Sequence, residues 1–210
     1  MHPDSAFRPT GDDASNRALA ESLIDAVGFG MIFAATPDGP RVVHTPLLST
    51  GDGAIQFHVS RGNALARHLD GMTALAVING PDGYVSPRWY QAEHQVPTWN
   101  YVALEIEGRV RRMDQDGLTA LLDGLSARHE GRITGDGPSW TMDALPEARR
   151  RQLLAGIVGF EMEAQAWRPT LKLSQNKPQD ERDRLATALE AEGAAGIAAL
   201  MRELGGTVPA

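Results

Sequence analysis

The stretch VPTWNYVALEIEGRV, Val96 to Val110, decides the fold. Val102, Leu104, Ile106 and Val110 fall on one side of it, and Glu105, Glu107, Arg109 and Arg111 on the other. That alternation is the pattern of a strand buried on one face. Pro97 has no N–H to give to a ladder, so it belongs at the strand's start. Trp99 and Tyr101 then point to one side and Asn100 to the other. Such a long strand in a small chain suits a barrel, whose strands are tilted and coiled.

Working outward toward the N-terminus, Thr73–Gly80 reads as a strand and Asn63–Leu69 as a short helix. Ala54–Ser60 alternates Ile55, Phe57 and Val59 with Gln56, His58 and Ser60, and Gly51-Asp52-Gly53 before it signals a turn. Phe29–Thr36 and Arg41–Leu48 flank Pro37-Asp38-Gly39-Pro40 and read as a hairpin. Ser15–Val27 is helical, with Leu19, Leu23, Ile24 and Val27 on one face and Gly28 suited to the C-cap.

Toward the C-terminus, Leu118, Leu121, Leu122 and Leu125 have helical spacing, with Asp114 or Asp116 as N-cap and Gly131 as stop. Pro146–Leu154 is a second helix, Ile157–Ala164 a further strand, and Leu171–Leu173 a candidate extension of the sheet. The tail from Gln179 to Leu204 is helical and broken at Gly193. The loop Glu130–Ser139 is the expected flexible stretch. Clustered strands with peripheral helices predict an α+β chain, mostly an antiparallel split β-barrel with a C-terminal helical tail. Residues 1–176 are expected to form the barrel domain and residues 177–210 its helical extension.

Composition narrows the function. The chain has 210 residues, no cysteine and a formal charge of -7. Disulfides, thiolate catalysis and cysteine-bound metals are excluded. An acidic surface repels phosphate backbones, so direct DNA binding without a partner is not expected. The six histidines do not fall at ligand spacing, so no metal site is predicted. The start, MHPDSAFRPTGDDASNR, lacks the basic and apolar regions of a signal peptide. No apolar run approaches membrane length, and the expected location is the cytoplasm. Walker A, HExxH, GxSxG and a full dinucleotide fingerprint are all missing.

Four segments stand out on physical grounds. His58-Val-Ser-Arg-Gly-Asn63 leaves a strand into a turn loaded with donors. It reads either as a phosphate cradle using Ser60, Arg61 and Asn63 or as an ordinary polar strand end. Gly80–Tyr90 holds two prolines and three aromatics, and reads as a rigid turn or as aromatic walls for a planar ligand. Val96–Tyr101 offers Trp99 and Asn100 to a ligand or to the core. Lys172-Leu-Ser-Gln-Asn-Lys177 places cations and amides after a strand, as a ligand contact or as a solvated linker with a helix cap.

Taken in this order and spacing, the segments resemble the PaiB-type FMN-binding negative transcriptional regulators. The matching pieces are Met1…Pro3…Phe7, His44-Thr45-Pro46-Leu47-Leu48, His58 to Asn63, Gly80-Pro81…Tyr84-Val85-Ser86-Pro87…Trp89-Tyr90, Val96 to Tyr101, Ile157 to Glu161 and Lys172 to Asn176. The resemblance implies a split barrel like that of the pyridoxamine-phosphate oxidases, working as a homodimer with FMN at the subunit interface. It implies phosphate contacts from Ser60 and Arg61 with Asn63 assisting, and Thr45 and His58 beside the ring or ribityl chain. Trp99 and Asn100 would come from the long strand, and Lys172, Ser174 and Gln175 from the C-terminal part. No catalytic residue is assigned. The implied function is a flavin-dependent sensor that represses transcription; the alternative is an FMN-dependent oxidoreductase using NAD(P)H or a small reduced substrate. The chain departs from the family pattern with Ser60 and Gly62 in place of alanines, Ala64 in place of proline, and Asp82-Gly83 in place of His-Ala.

Overall fold

A computed structural model describes residues 3–9, 11 and 13–204. Met1, His2 and the last six residues of the tail, 205–210, lie outside the described residues. Strands β1 (Phe29–Thr36), β2 (Gly39–Ser49), β3 (Ala54–Ser60), β4 (Thr73–Val85), β5 (Thr98–Arg112) and β6 (Ile157–Lys172) close into a barrel in the order β1-β2-β3-β6-β5-β4. The pairings β1–β2, β1–β4, β2–β3 and β3–β6 are antiparallel. The helices are α1 (Asp13–Val27), α2 (Gln115–Glu130), α3 (Glu147–Ala155), α4 (Gln179–Ala191) and α5 (Ala195–Leu204). The α+β split barrel expected from sequence is what the chain forms. None of these helices is long and apolar enough to cross a membrane.

Packing divides the chain into two compact units. One comprises Ile24–Ile78 and Ile106–Trp167. Its core gathers the inward sides of the strands: Ile32, Leu47, Ile55, Phe57, Phe160 and Met162 are buried. Phe57 and Phe160 are register partners whose rings stack at 5.7 Å. Helix α2 covers β2 and β3 with Leu118, Leu121 and Leu125. Its start is fixed by Asp114, whose carboxylate accepts from the Gly117 N–H at 2.8 Å. Gly28, at φ +68, ends α1 as expected.

The other unit comprises Met1–Leu23, Asn79–Glu105 and Arg168–Ala210. Here α4 and α5 fold back on each other through Gly193 at φ +88 and bury Leu185, Leu189, Ile197 and Met201 against Val85, Val102 and Leu173.

Two expectations are corrected. Gly80–Tyr90 is not a turn at its start, because β4 continues without a break to Val85. At Gly83 the packing of α4 and α5 leaves no room for a side chain. A Cβ on Gly83 would stand 2.7 Å from Leu189 and 3.1 Å from Ile197. Strand β6 also does not stop at Ala164; it runs through Pro169 to Lys172 as one element.

Candidate functional site

The ten candidate residues fall into two groups, one in each compact unit. The first is carried by β2, β3 and the turn after β3. Thr45 is buried, and its hydroxyl donates to the His58 carbonyl at 2.6 Å. Its neighbour on β3, His58, is half-buried, and its Nδ1 is buried without a hydrogen-bond partner among the described residues. Buried polar atoms are normally paired, so an orphan of this kind marks a place where a ligand group fits. Ser60 is exposed at the strand end, and its carbonyl accepts the Asn63 N–H at 2.9 Å. The Asn63 carboxamide oxygen caps the following 3-10 turn by accepting from the Leu65 N–H at 2.9 Å, which aligns the turn.

Arg61 does more than sequence reading foresaw. Its Nε donates to the Ala155 carbonyl at 2.8 Å and its Nη2 to the Ile157 carbonyl at 3.2 Å. Its backbone N–H donates to the Gly156 carbonyl at 2.8 Å. The turn is thereby tied to the junction of α3 and β6, and the guanidinium is held in place by carbonyls. An arginine positioned this way is pre-organised for a phosphate, since less side-chain freedom is lost on binding.

Burial lowers the His58 pKa below the ordinary imidazole value. The folded chain therefore holds a neutral ring where the unfolded chain takes up a proton. Stability from this residue is fully present above about pH 6.5, the unfolded value, and is lost as the pH falls below it. The melting temperature is expected to drop between pH 7 and pH 5, and the drop should be smaller in His58→Gln. Equal slopes in calorimetric melts of the two proteins would contradict this.

The second group is carried by β5, the end of β6 and the segment entering α4. Asn100 is fully buried, and its Nδ2 donates to the Ser174 hydroxyl at 2.9 Å and to the Met201 sulfur at 3.2 Å. Ser174 sits at φ +59, a left-handed conformation uncommon for a residue with a side chain. Gln175 accepts from the Leu173 N–H at 2.7 Å and donates to the Leu171 carbonyl, which fixes the end of β6. Lys172 donates to the Thr98 hydroxyl at 2.7 Å and stands 5.6 Å above the Phe7 ring. Trp99 is 54% exposed and meets Tyr84 edge-on at 6.0 Å. Asn79, Asp82, Trp99 and Tyr101 border a cleft of about 280 Å³.

Sequence reading missed Glu181 and the role of Tyr90. Glu181, in the first turn of α4, is buried, and its Oε1 accepts from the N–H groups of Gln91 at 2.9 Å and Ala92 at 3.0 Å. Lys177 adds a bond to Gln95 at 2.8 Å and lies 5.3 Å above the Tyr90 ring. The Tyr90 hydroxyl is pushed up in pKa by burial and by the Glu181 carboxylate, against a hydrogen bond with Ser174 that lowers it. The segment between Tyr90 and Gln95 is thus clamped to α4. Glu181→Ala should cost about 2 kcal/mol, the scale of bonds to a charged acceptor. Hydrogen exchange at Gln91 and Ala92 is the check: both should exchange faster, with β3 unaffected, whereas unchanged rates would show that the clamp does not hold the segment.

The described residues hold no group of three or more His, Cys, Asp or Glu suited to a metal ion. Those of the first group do fit a phosphorylated ligand: a fixed guanidinium, an amide-rich turn and an unpaired imidazole nitrogen. Fold and side chains together define the class of flavin-binding split-barrel proteins. Residues 1–166 match the family described as "Putative FMN-binding domain". The chain is 30% identical to the Bacillus subtilis protein named protease synthase and sporulation protein PAI 2, over 74% of this chain and 75% of the relative. It therefore belongs to this PaiB-type FMN-binding family, and FMN is its cofactor. Among solved structures, the FAD and heme binding protein of Mycobacterium smegmatis is similar in fold, with a TM-score of 0.60 at 18% identity, covering 84% of this chain and 78% of that one. The flavocytochrome Anf3 of Azotobacter vinelandii is also similar, with a TM-score of 0.52 at 14% identity, covering 74% and 66% of the two chains.

Proposed function

We propose that the chain is a flavin-dependent sensor of the PaiB type, working as a homodimer that holds FMN at the subunit interface and acts to lower transcription. The observation that carries this reading is the FMN-binding family match together with a relative named for protease synthesis and sporulation. In this reading Ser60 and Arg61 take the phosphate with help from Asn63, and Thr45 and His58 border the ring or the ribityl chain. Trp99 and Asn100 contribute from β5, and Lys172, Ser174 and Gln175 from the end of β6. Residues 1–176 then act as the FMN-binding domain, with 177–210 as its helical extension. Bound FMN supplies one- and two-electron redox chemistry. The chain's own residues bind the phosphate, orient the cofactor and offer it a neutral imidazole.

A second copy has a surface to cover. Phe29 is 51% exposed, Phe33 37% and Val42 41%, and Phe33 and Val42 stand opposite each other across β1 and β2. Apolar side chains grouped on one face of a sheet support a dimer. The charge of -7 argues for action on transcription through a partner or a metabolite, without direct DNA contact; the cytoplasm is the location we propose for it.

The open cleft beside Asp82 and Trp99 favours one other reading, an FMN-dependent oxidoreductase that admits NAD(P)H or a small reduced substrate. One experiment separates the two. The FMN-loaded protein is mixed with NADH or NADPH in air and nicotinamide loss is followed. A sensor consumes no more than about one equivalent, whereas sustained consumption transfers the chain to the oxidoreductases.

A further inference from the structure

Between α2 and α3 lies a recess lined by none of the ten candidate flavin residues. Its mouth is a cavity of about 420 Å³ bordered by Asp123, Ser126, Ser139, Thr141 and Asp143. Beside the mouth, and likewise open to solvent, is a slot of about 150 Å³ walled by Leu122, Leu145, Leu153, Leu154 and Ile157. Mouth and slot share Ser126, Trp140, Met142 and Arg150 as walls, so the two adjoin. Trp140 is 42% exposed and Leu153 44%. Two large apolar side chains are thus left in water around a recess that a ligand would cover.

Charge selects the ligand. Arg150 is the only cation in the lining, and it is shared between Asp143 at 3.7 Å and Glu147. Asp123 has no ion-pair partner among the described residues. The Glu130 carboxylate, which accepts from the Trp140 backbone N–H at 3.1 Å, adds negative charge near the mouth. An anion would meet carboxylates at the mouth, and a neutral apolar molecule would use the slot alone. A molecule with an apolar body and an ammonium head satisfies both parts. Its body displaces water from the slot, its N–H groups reach Asp123 and the hydroxyls, and its charge gains from the indole.

We propose that this recess is a binding site for a small aryl- or alkylammonium compound. It does not depend on the flavin reading, and it supplies a candidate signal for a sensor. The test is calorimetry on the full chain with FMN present, using phenethylamine as probe and 2-phenylethanol and 3-phenylpropionate as neutral and anionic matches. Phenethylamine should bind once per chain, and the other two at least tenfold more weakly. Asp123→Asn should weaken the amine about fivefold or more and leave the alcohol unchanged. Leu153→Ser should weaken the amine and the alcohol alike. Both substitutions are at exposed positions, so folding is preserved, and FMN affinity should not move in either. No saturable binding of the amine, equal binding of all three compounds, or an amine affinity indifferent to Asp123→Asn would each overturn the proposal. A chain that fails to bind FMN yet still selects the amine would sink the flavin reading alone.

Discussion

Arg61→Ala is expected to weaken FMN binding by about 1.5–3 kcal/mol, the scale of a charge-assisted hydrogen bond, or roughly ten- to a hundredfold in affinity. The size follows from the geometry around the guanidinium. Three bonds from Arg61 to the carbonyls of Ala155, Gly156 and Ile157 fix the donor turn. Removal of the side chain costs the phosphate a cation and also loosens the turn that presents Ser60 and Asn63. Riboflavin, which lacks the phosphate, is the control. Its affinity should hardly change, and FMN and riboflavin should bind the variant almost equally. An unchanged FMN affinity would place the phosphate elsewhere.

The second large effect concerns the fold. Gly108→Ala is expected to destabilise the chain by about 3 kcal/mol or more, at the upper end of overpacking costs. A Cβ there would lie 2.3 Å from the Glu163 carbonyl oxygen and 2.7 Å from the Met162 side chain. The nearest obstacle is backbone of the neighbouring strand, which cannot swing aside as a side-chain end does. Strand separation itself has to change, and β5 and β6 are long neighbours in the barrel. Urea unfolding of the variant should show a lower midpoint with a similar slope. A midpoint equal to that of the parent would mean that the two strands part at Gly108.

The sequence made some parts of this structure plain. Phe29–Thr36 and Ala54–Ser60 have the bounds expected from their apolar content and alternation, and β5 buries Val102, Leu104, Ile106 and Val110 on one side as its pattern requires. Other parts were hidden for physical reasons. Gly80, Pro81 and Gly83 are strand breakers by local propensity, yet β4 runs through them; at Gly83 α4 and α5 pack where a Cβ would sit, and at Gly80 Val102 and Leu23 do. Residues Ala166 to Pro169 show no alternation, since that part of β6 is only partly buried on both faces.

The site divides in the same way. The donor-rich turn at His58–Asn63 was readable from composition, but Arg61's bonds to a segment some ninety residues away in the chain were not. Asn100 and Ser174 stand 74 residues apart in sequence, and only the family resemblance brought them together before their hydrogen bond was seen. The Glu181 clamp had no such signal. An acidic residue in the first turn of a helix is ordinary, and only tertiary structure shows it buried and holding two backbone amides.

Sedimentation velocity with detection at flavin and protein wavelengths is the most direct test of the central claim, two chains closing on FMN. Flavin absorbance should travel with a species of two chains, at one FMN for each. Stoichiometric flavin travelling with a single chain would contradict it.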